Sequence, residues 1–228
     1  MKMNMPMNMK MPMEKPAPGG VVKEFPLHWP GSGKPMAMAN SNSQMDCCTA
    51  TSGSTHELVF DPNDDKAFWV SGQKYDHIAR VTLDGKAKYF STNAKKISSG
   101  PHGIRFDAKG QLWVTLEWLG ELARIETDKN KKGFGSIVER IDVKLYAKGA
   151  PKPLDTHPHG LGVAADGALW FTGKLTNTVG RVDAKGKVSH FELPTLGAVP
   201  IYLSPGPDGN MWCTELGASN IARITNKL

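Results

Sequence analysis

Residues 158–172 read Pro158-His159-Gly160-Leu161-Gly162-Val163-Ala164-Ala165-Asp166-Gly167-Ala168-Leu169-Trp170-Phe171-Thr172, and Val179-Gly180-Arg181-Val182 follows. Apolar alternation on both sides of Asp-Gly is the mark of a β-hairpin. The pattern recurs with variations. Trp69, Trp113, Trp170 and Trp212 are each followed eleven residues later by an arginine, Arg80, Arg124, Arg181 and Arg223, set in an Ile/Val/Leu/Ala-rich strand pattern. The tryptophans stand 44, 57 and 42 residues apart, near the period of a four-stranded propeller blade. No helical period occurs anywhere in the chain. The expected fold is therefore all-β, a β-propeller of four-stranded antiparallel blades with four recognisable repeats.

Working outward, the repeats fall near residues 55–90, 100–146, 158–194 and 200–228. The longer second spacing comes from a Lys- and Gly-rich insertion over residues 128–136. A glycine-to-phenylalanine offset of five closes repeats at Gly85 to Phe90 and Gly186 to Phe191, and it also occurs at Gly20 to Phe25. The fourth repeat stops one strand short. Residues 20–27 are thus expected to close the ring as the outermost strand of the last blade, against residues 220–225, and so remove an open sheet edge. Either the chain closes on itself as a monomer, or two chains exchange this strand as a dimer. Residues 28–54 read as a linker, and 19–228 as one domain.

Of 228 residues, 39% are hydrophobic and 22% charged, enough to bury a sizeable core. The net charge of +6 comes from lysines scattered through turns without interleaved aromatics, which argues against a nucleic-acid partner. No apolar run approaches the roughly 18 residues of a membrane span, and no signal-peptide core is visible. Residues 1–18 carry methionine at every odd position from 1 to 13. A tail of this composition buries little and is expected to be disordered. Cys47 and Cys48 are adjacent, and Cys213 is expected as a buried free thiol.

Aligned on tryptophan, the repeats bring His56, His102, His159 and Tyr202 to the start of the innermost strand. Gln73, Glu117, Lys174 and Glu215 fall four residues after each tryptophan, where the second strand ends. First and second strands run antiparallel, so both sets face one rim of the central channel. Imidazoles beside carboxylates make a base, a metal site, or both. His157 adds a nearby imidazole. His28, His77 and His190 are expected on the surface. The tryptophans and arginines read as structural, the aromatic packing neighbouring sheets and the arginine tying blade to blade.

Pro-His-Gly-Ile/Leu, Asp-x-Gly, Leu-Trp-Phe/Val-Thr and Val-Gly-Arg-Val, closing on Gly186-Lys187-Val188-Ser189-His190-Phe191-Glu192-Leu193-Pro194, resemble the virginiamycin B lyase (streptogramin lyase) family of propellers. The resemblance covers roughly residues 55–228 and 20–27. It implies a carbon–oxygen lyase of antibiotic-resistance type that opens a cyclic depsipeptide. A histidine removes the proton alpha to the carbonyl, and Mg²⁺ held partly by a glutamate stabilises the enolate-like charge. His102 and Glu117 match the catalytic positions; His159 resembles the substrate-contacting histidine, with His56 and Tyr202 beside it. Glu117 and Glu215 would hold the metal. The chain departs from the family in having four repeats rather than seven, Gly100 two before His102 where an acidic residue is usual, and the two histidines in reversed blade order. A ligand-, partner- or metal-binding propeller holding Cu, Ni or Zn on the histidine rim is the alternative of another class. A lactonase-like hydrolase is a third.

Overall fold

The computed structural model describes residues 22–30, 55–93 and 97–225. The methionine-rich tail, most of the expected linker, Cys47 and Cys48 lie outside the described residues. Four antiparallel sheets follow one another in up-and-down order. The first comprises β1 (Thr55–Phe60), β2 (Ala67–Gly72), β3 (His77–Thr82) and β4 (Ala87–Ser91), and the second β5 (Pro101–Phe106), β6 (Leu112–Leu116), β7 (Glu121–Ile125) and β8 (Ile137–Asp142). The third is β9 (Pro158–Val163), β10 (Leu169–Gly173), β11 (Thr178–Val182) and β12 (Val188–Glu192); the fourth is β13 (Pro200–Pro205), β14 (Met211–Glu215) and β15 (Asn220–Ile224). Innermost strands β1, β5, β9 and β13 touch in that order, so the sheets follow an arc as propeller blades do.

The recurring tryptophan holds each blade to the next. Trp69 clusters with Ile104, Leu112 and Val114 of blade 2, Trp113 with Leu161, Leu169 and Phe171 of blade 3, and Trp170 with Leu203, Met211 and Cys213 of blade 4. A buried tryptophan removes roughly 200 Å² from water, worth about 5 kcal/mol on a transfer basis. Three such contacts outweigh any surface ion pair in the molecule. Each indole N–H also needs an acceptor. Trp69, Trp113 and Trp212 donate to Asp61, Asp107 and Asp208 at 3.0, 3.1 and 3.0 Å, whereas Trp170 has none. The insertion contributes to the core, because Phe134 packs against Trp69 and Phe90 with centroids 6.0 and 5.1 Å away.

Two expectations about how the blades are joined differ from the structure. The arginines do not tie blade to blade: each lies directly across the β-ladder from its tryptophan, and Arg80 and Arg181 pair with Asp64 and Asp166 of their own blades. Nor is the N-terminal segment paired with the last blade among the described residues. Among the described residues the fourth sheet has three strands, and residues 22–29 form none. Instead Trp29 is buried with Val70, Ala79 and Val81 on the outward face of blade 1, with Leu27 packed beside it. The physical reason is that no sheet precedes blade 1 among the described residues, and its apolar face takes the nearest aromatic available.

Candidate functional site at the inner-strand rim

Every innermost strand breaks register near its start. The ladder shifts between Thr55 and Leu58, Pro101 and Ile104, Pro158 and Leu161, and Pro200 and Leu203. A bulge of this kind re-aims side chains and leaves backbone groups in need of partners. A hydroxyl two residues after each tryptophan supplies them. Backbone N–H groups of Glu57, Gly103, Gly160 and Tyr202 donate to Ser71, Thr115, Thr172 and Thr214 at 3.1, 2.7, 2.8 and 3.2 Å. Thr115 and Thr172 in turn donate to the His159 and Ile201 carbonyls of the next blade at 3.0 and 3.1 Å. These hydroxyls position the rim, and the repeated Trp-x-Ser/Thr carries them in the sequence without showing what they bond.

The bulges also correct one residue assignment. Leu58, Ile104, Leu161 and Leu203 are equivalent by register, which makes Ile201 the counterpart of His56, His102 and His159. Tyr202 stands one place later, with Glu57, Gly103 and Gly160. Glycine is required where the next blade presses close: a Cβ on Gly103 would meet the His159 carbonyl, and one on Gly160 the Ile201 carbonyl. With no blade beyond it among the described residues, Tyr202 keeps a side chain there. Its ring lies 5.8 Å from the Arg105 guanidinium.

The three histidines converge. His56 and His102 have ring centroids 4.2 Å apart, and His102 and His159 3.5 Å apart, tilted by 46° and 37°. His102 and His159 are buried. His159 Nδ1 lies 3.3 Å from the Ile201 carbonyl, whereas His102 Nδ1 has no hydrogen-bond partner and lies 3.9 Å from Glu57 Oε1. Glu57 is itself held by Arg105 at 2.7 Å. Burial, then the positive charge of His159, His56 and Lys174, lowers His102 to about 2. Burial and then Lys174 lowers His159 to about 4. Burial also lowers His56, against a hydrogen bond from Gln73. All three imidazoles are therefore neutral near pH 7.

Three of the second set, Gln73, Glu117 and Lys174, are also brought together, and Glu215 is not among their partners. Glu117, buried, accepts from the Gln73 amide, faces Lys174 Nζ at 3.3 Å and has His157 Nδ1 at 3.7 Å. Burial raises its pKa, against the opposing effect of Lys174. Lys174 acts on both Glu117 and the histidines, so the two sets share one rim as expected. Glu215 is buried with Oε2 unpartnered. Cys213 is a buried free thiol, pushed up to about 12 by burial and then Glu215, and is inert as a nucleophile. His190 is not a surface residue: it packs edge-on to Phe171 at 5.7 Å with both ring nitrogens buried. Among the described residues no group of three or more His, Cys, Asp or Glu is arranged to hold a metal ion.

Successive antiparallel blades whose inner strands touch in order define the class, a β-propeller. The family model for the virginiamycin B lyase family matches residues 133–227. A virginiamycin B lyase from Nocardia farcinica is 31% identical over 125 residues, which are 55% of this chain and 37% of that protein. The crystal structure of virginiamycin B lyase from Staphylococcus aureus superposes with a TM-score of 0.62 at 25% identity, covering 75% of this chain and 52% of the other. A WD40 β-propeller domain shares the fold alone, with a TM-score of 0.56 at 11% identity over 76% of this chain and 51% of that one. The chain is a β-propeller that is similar to virginiamycin B lyases over these segments. It spans 37% of the curated relative and about half of the solved lyase.

Proposed function

We propose that the rim is a lyase site that opens a cyclic depsipeptide-type ester by elimination, with His102 as the base. The observation that carries this is the unpartnered Nδ1 of His102, at the centre of three adjoining, tilted imidazoles with a carboxylate 3.9 Å away; the reaction named for the relatives supports the chemical class. The C–H bond alpha to the carbonyl breaks and its proton passes to His102. The electron pair becomes a C=C bond, and the C–O bond on the adjacent carbon breaks to release a carboxylate. An imidazole lowered to about 2 holds that proton only while negative charge stands beside it. The enolate-like intermediate and Glu57 supply that charge. Lys174 stabilises the charge as it develops, while His159 and His56 wall the ligand.

The resemblance assigns Mg²⁺ to Glu117 and Glu215. The groups around Glu117 do not fit it: its oxygens face an ammonium, an amide and an imidazole, where Mg²⁺ takes oxygen ligands and water. Lys174 occupies the electrostatic role, and no step is routed through a metal. The alternative Cu, Ni or Zn needs converging ligands, and among the described residues no three His, Cys, Asp or Glu side chains are arranged to hold an ion.

The test is incubation with a streptogramin-type cyclic depsipeptide followed by mass spectrometry. Elimination gives a linear product of unchanged mass, whereas a lactonase-like hydrolase adds one water. His102→Ala should lower turnover by roughly 10² or more. A folded variant with full activity would remove His102 as the base. Saturable binding without turnover would favour the non-catalytic binding reading, which draws on the depressed basicity of His102.

A further inference from the structure

Opposite the tryptophan of each blade, the inner strand carries Val59, Arg105, Gly162 and Ser204. Three of the four are uncharged, so the blade itself does not call for a cation at this place. The neighbouring register position holds Glu57, Gly103, Gly160 and Tyr202, and Arg105 reaches the two of these that have side chains. It pairs with Glu57 of blade 1 at 2.7 Å, and its guanidinium lies 5.8 Å from the ring centre of Tyr202 of blade 4. Blades 2 and 4 are not neighbours, so this contact runs across the channel.

A guanidinium has five N–H donors. Nη1 donates to Glu57 Oε2 and to the Ile104 carbonyl, each at 2.7 Å. Nη2 reaches only the Tyr202 hydroxyl, at 3.5 Å, and Nε has no partner among the described residues. The edge formed by Nε and Nη2, whose parallel N–H bonds match the two oxygens of a carboxylate, is therefore almost unused. The Arg105 side chain is 24% exposed and Tyr202 beside it 44% exposed, which leaves the pair accessible from solvent.

We infer that Arg105 is a carboxylate-binding subsite, which takes an organic acid on the free edge of its guanidinium with the Tyr202 ring as an apolar wall. Glu57 connects this subsite to the imidazoles, with Oε1 facing His102 Nδ1 at 3.9 Å and Oε2 on Arg105. In the elimination proposed above, the C–O bond breaks to release a carboxylate, and Arg105 would receive it. Charge-assisted hydrogen bonds are roughly twice as strong as neutral ones, so the subsite favours the leaving carboxylate over the intact ester. That choice of ligand rests on the elimination reading, whereas the subsite itself stands on the free guanidinium edge.

The test is calorimetric titration of the full 228-residue chain with N-acetylphenylalanine and, separately, with its neutral amide. The acid should bind at least about tenfold more tightly than the amide. Arg105→Gln and Arg105→Lys should each remove that preference with an unchanged far-ultraviolet spectrum. Lysine keeps a charge beside Glu57 but not the fork, so its loss of preference excludes repulsion by a bared Glu57 as the cause. Should Arg105→Gln fail to fold, Arg105→Lys carries the test. An acid that binds no better than its amide, a preference kept in either folded variant, or one abolished by Lys174→Gln instead would each overturn the proposal. The readout is binding, so a chain without lyase activity can still pass, and the subsite can fail in an active one.

Discussion

Three prolines open inner strands, and the residue before each has a left-handed backbone: Gly100 at φ +60°, His157 at +46° and Val199 at +49°. Glycine takes this conformation without cost, whereas a β-branched residue there is a steric outlier. This explains Gly100 where the family resemblance leads one to expect an acid: the repeat needs a positive φ two residues before His102. His157 accepts the strain and brings Nδ1 to 3.7 Å from Glu117, which places the strain at the functional rim. Val199 shows no such return. Val199→Gly should therefore stabilise the chain by up to about 1 kcal/mol, the relief of strain less the added freedom of the unfolded chain. A lower urea midpoint for the variant would show that the Val199 side chain, which lies near Gly217, matters more than its backbone.

Single elements were the most legible part of the sequence. Asp-Gly turns and alternating apolar residues mark the hairpins, and the Trp-to-Arg offset of eleven is the β-ladder itself, since Trp113 and Arg124 are cross-strand partners. What alternation does not carry is the bulge in each inner strand, because an extra residue changes the count without changing the residue types. That is why Tyr202 reads as the histidine counterpart until the ladder shows Ile201 in that place. The Thr115 and Thr172 bridges were hidden for a related reason: a threonine in a strand is ordinary until its hydroxyl meets the next blade. One element also lacks what its neighbours have. Blade 3 carries Ala164 where blades 1 and 2 carry Asp61 and Asp107, as the matching turn hydrogen bonds show, and the Trp170 indole is left without an acceptor. Ala164→Asp should raise stability by about 1 kcal/mol, the net worth of one hydrogen bond to a charged group less its burial. A fall in melting temperature would mean that the apolar cluster around Ala164 does not admit the carboxylate.

On the scale of the whole molecule, the rim is a store of pH-dependent stability. An unfolded histidine titrates near 6.5, whereas burial holds His159 at about 4 and His102 at about 2, with His56 also lowered. Between these values the unfolded chain binds protons that the folded chain refuses, so stability rises with pH there. The contribution is complete above pH ~6.5 and is lost as pH falls, ending near pH 4 for His159 and near pH 2 for His102. For His159 alone the loss is on the order of 3 kcal/mol. Glu117 and Glu57 work in the opposite direction. Burial raises both, so the folded chain takes up their protons first and regains part of the loss as pH falls toward the ordinary carboxylate range. The decline should therefore set in as pH falls through ~6.5, where the unfolded histidines take up protons. Urea midpoints measured at pH 7.5 and pH 5 should differ accordingly, with the lower midpoint in acid. His159→Gln keeps a donor for the Ile201 carbonyl but removes the titration, and should narrow the gap. Equal midpoints in the unsubstituted chain would mean that the imidazoles are not held buried and neutral in solution, and the base assigned to His102 would go with them.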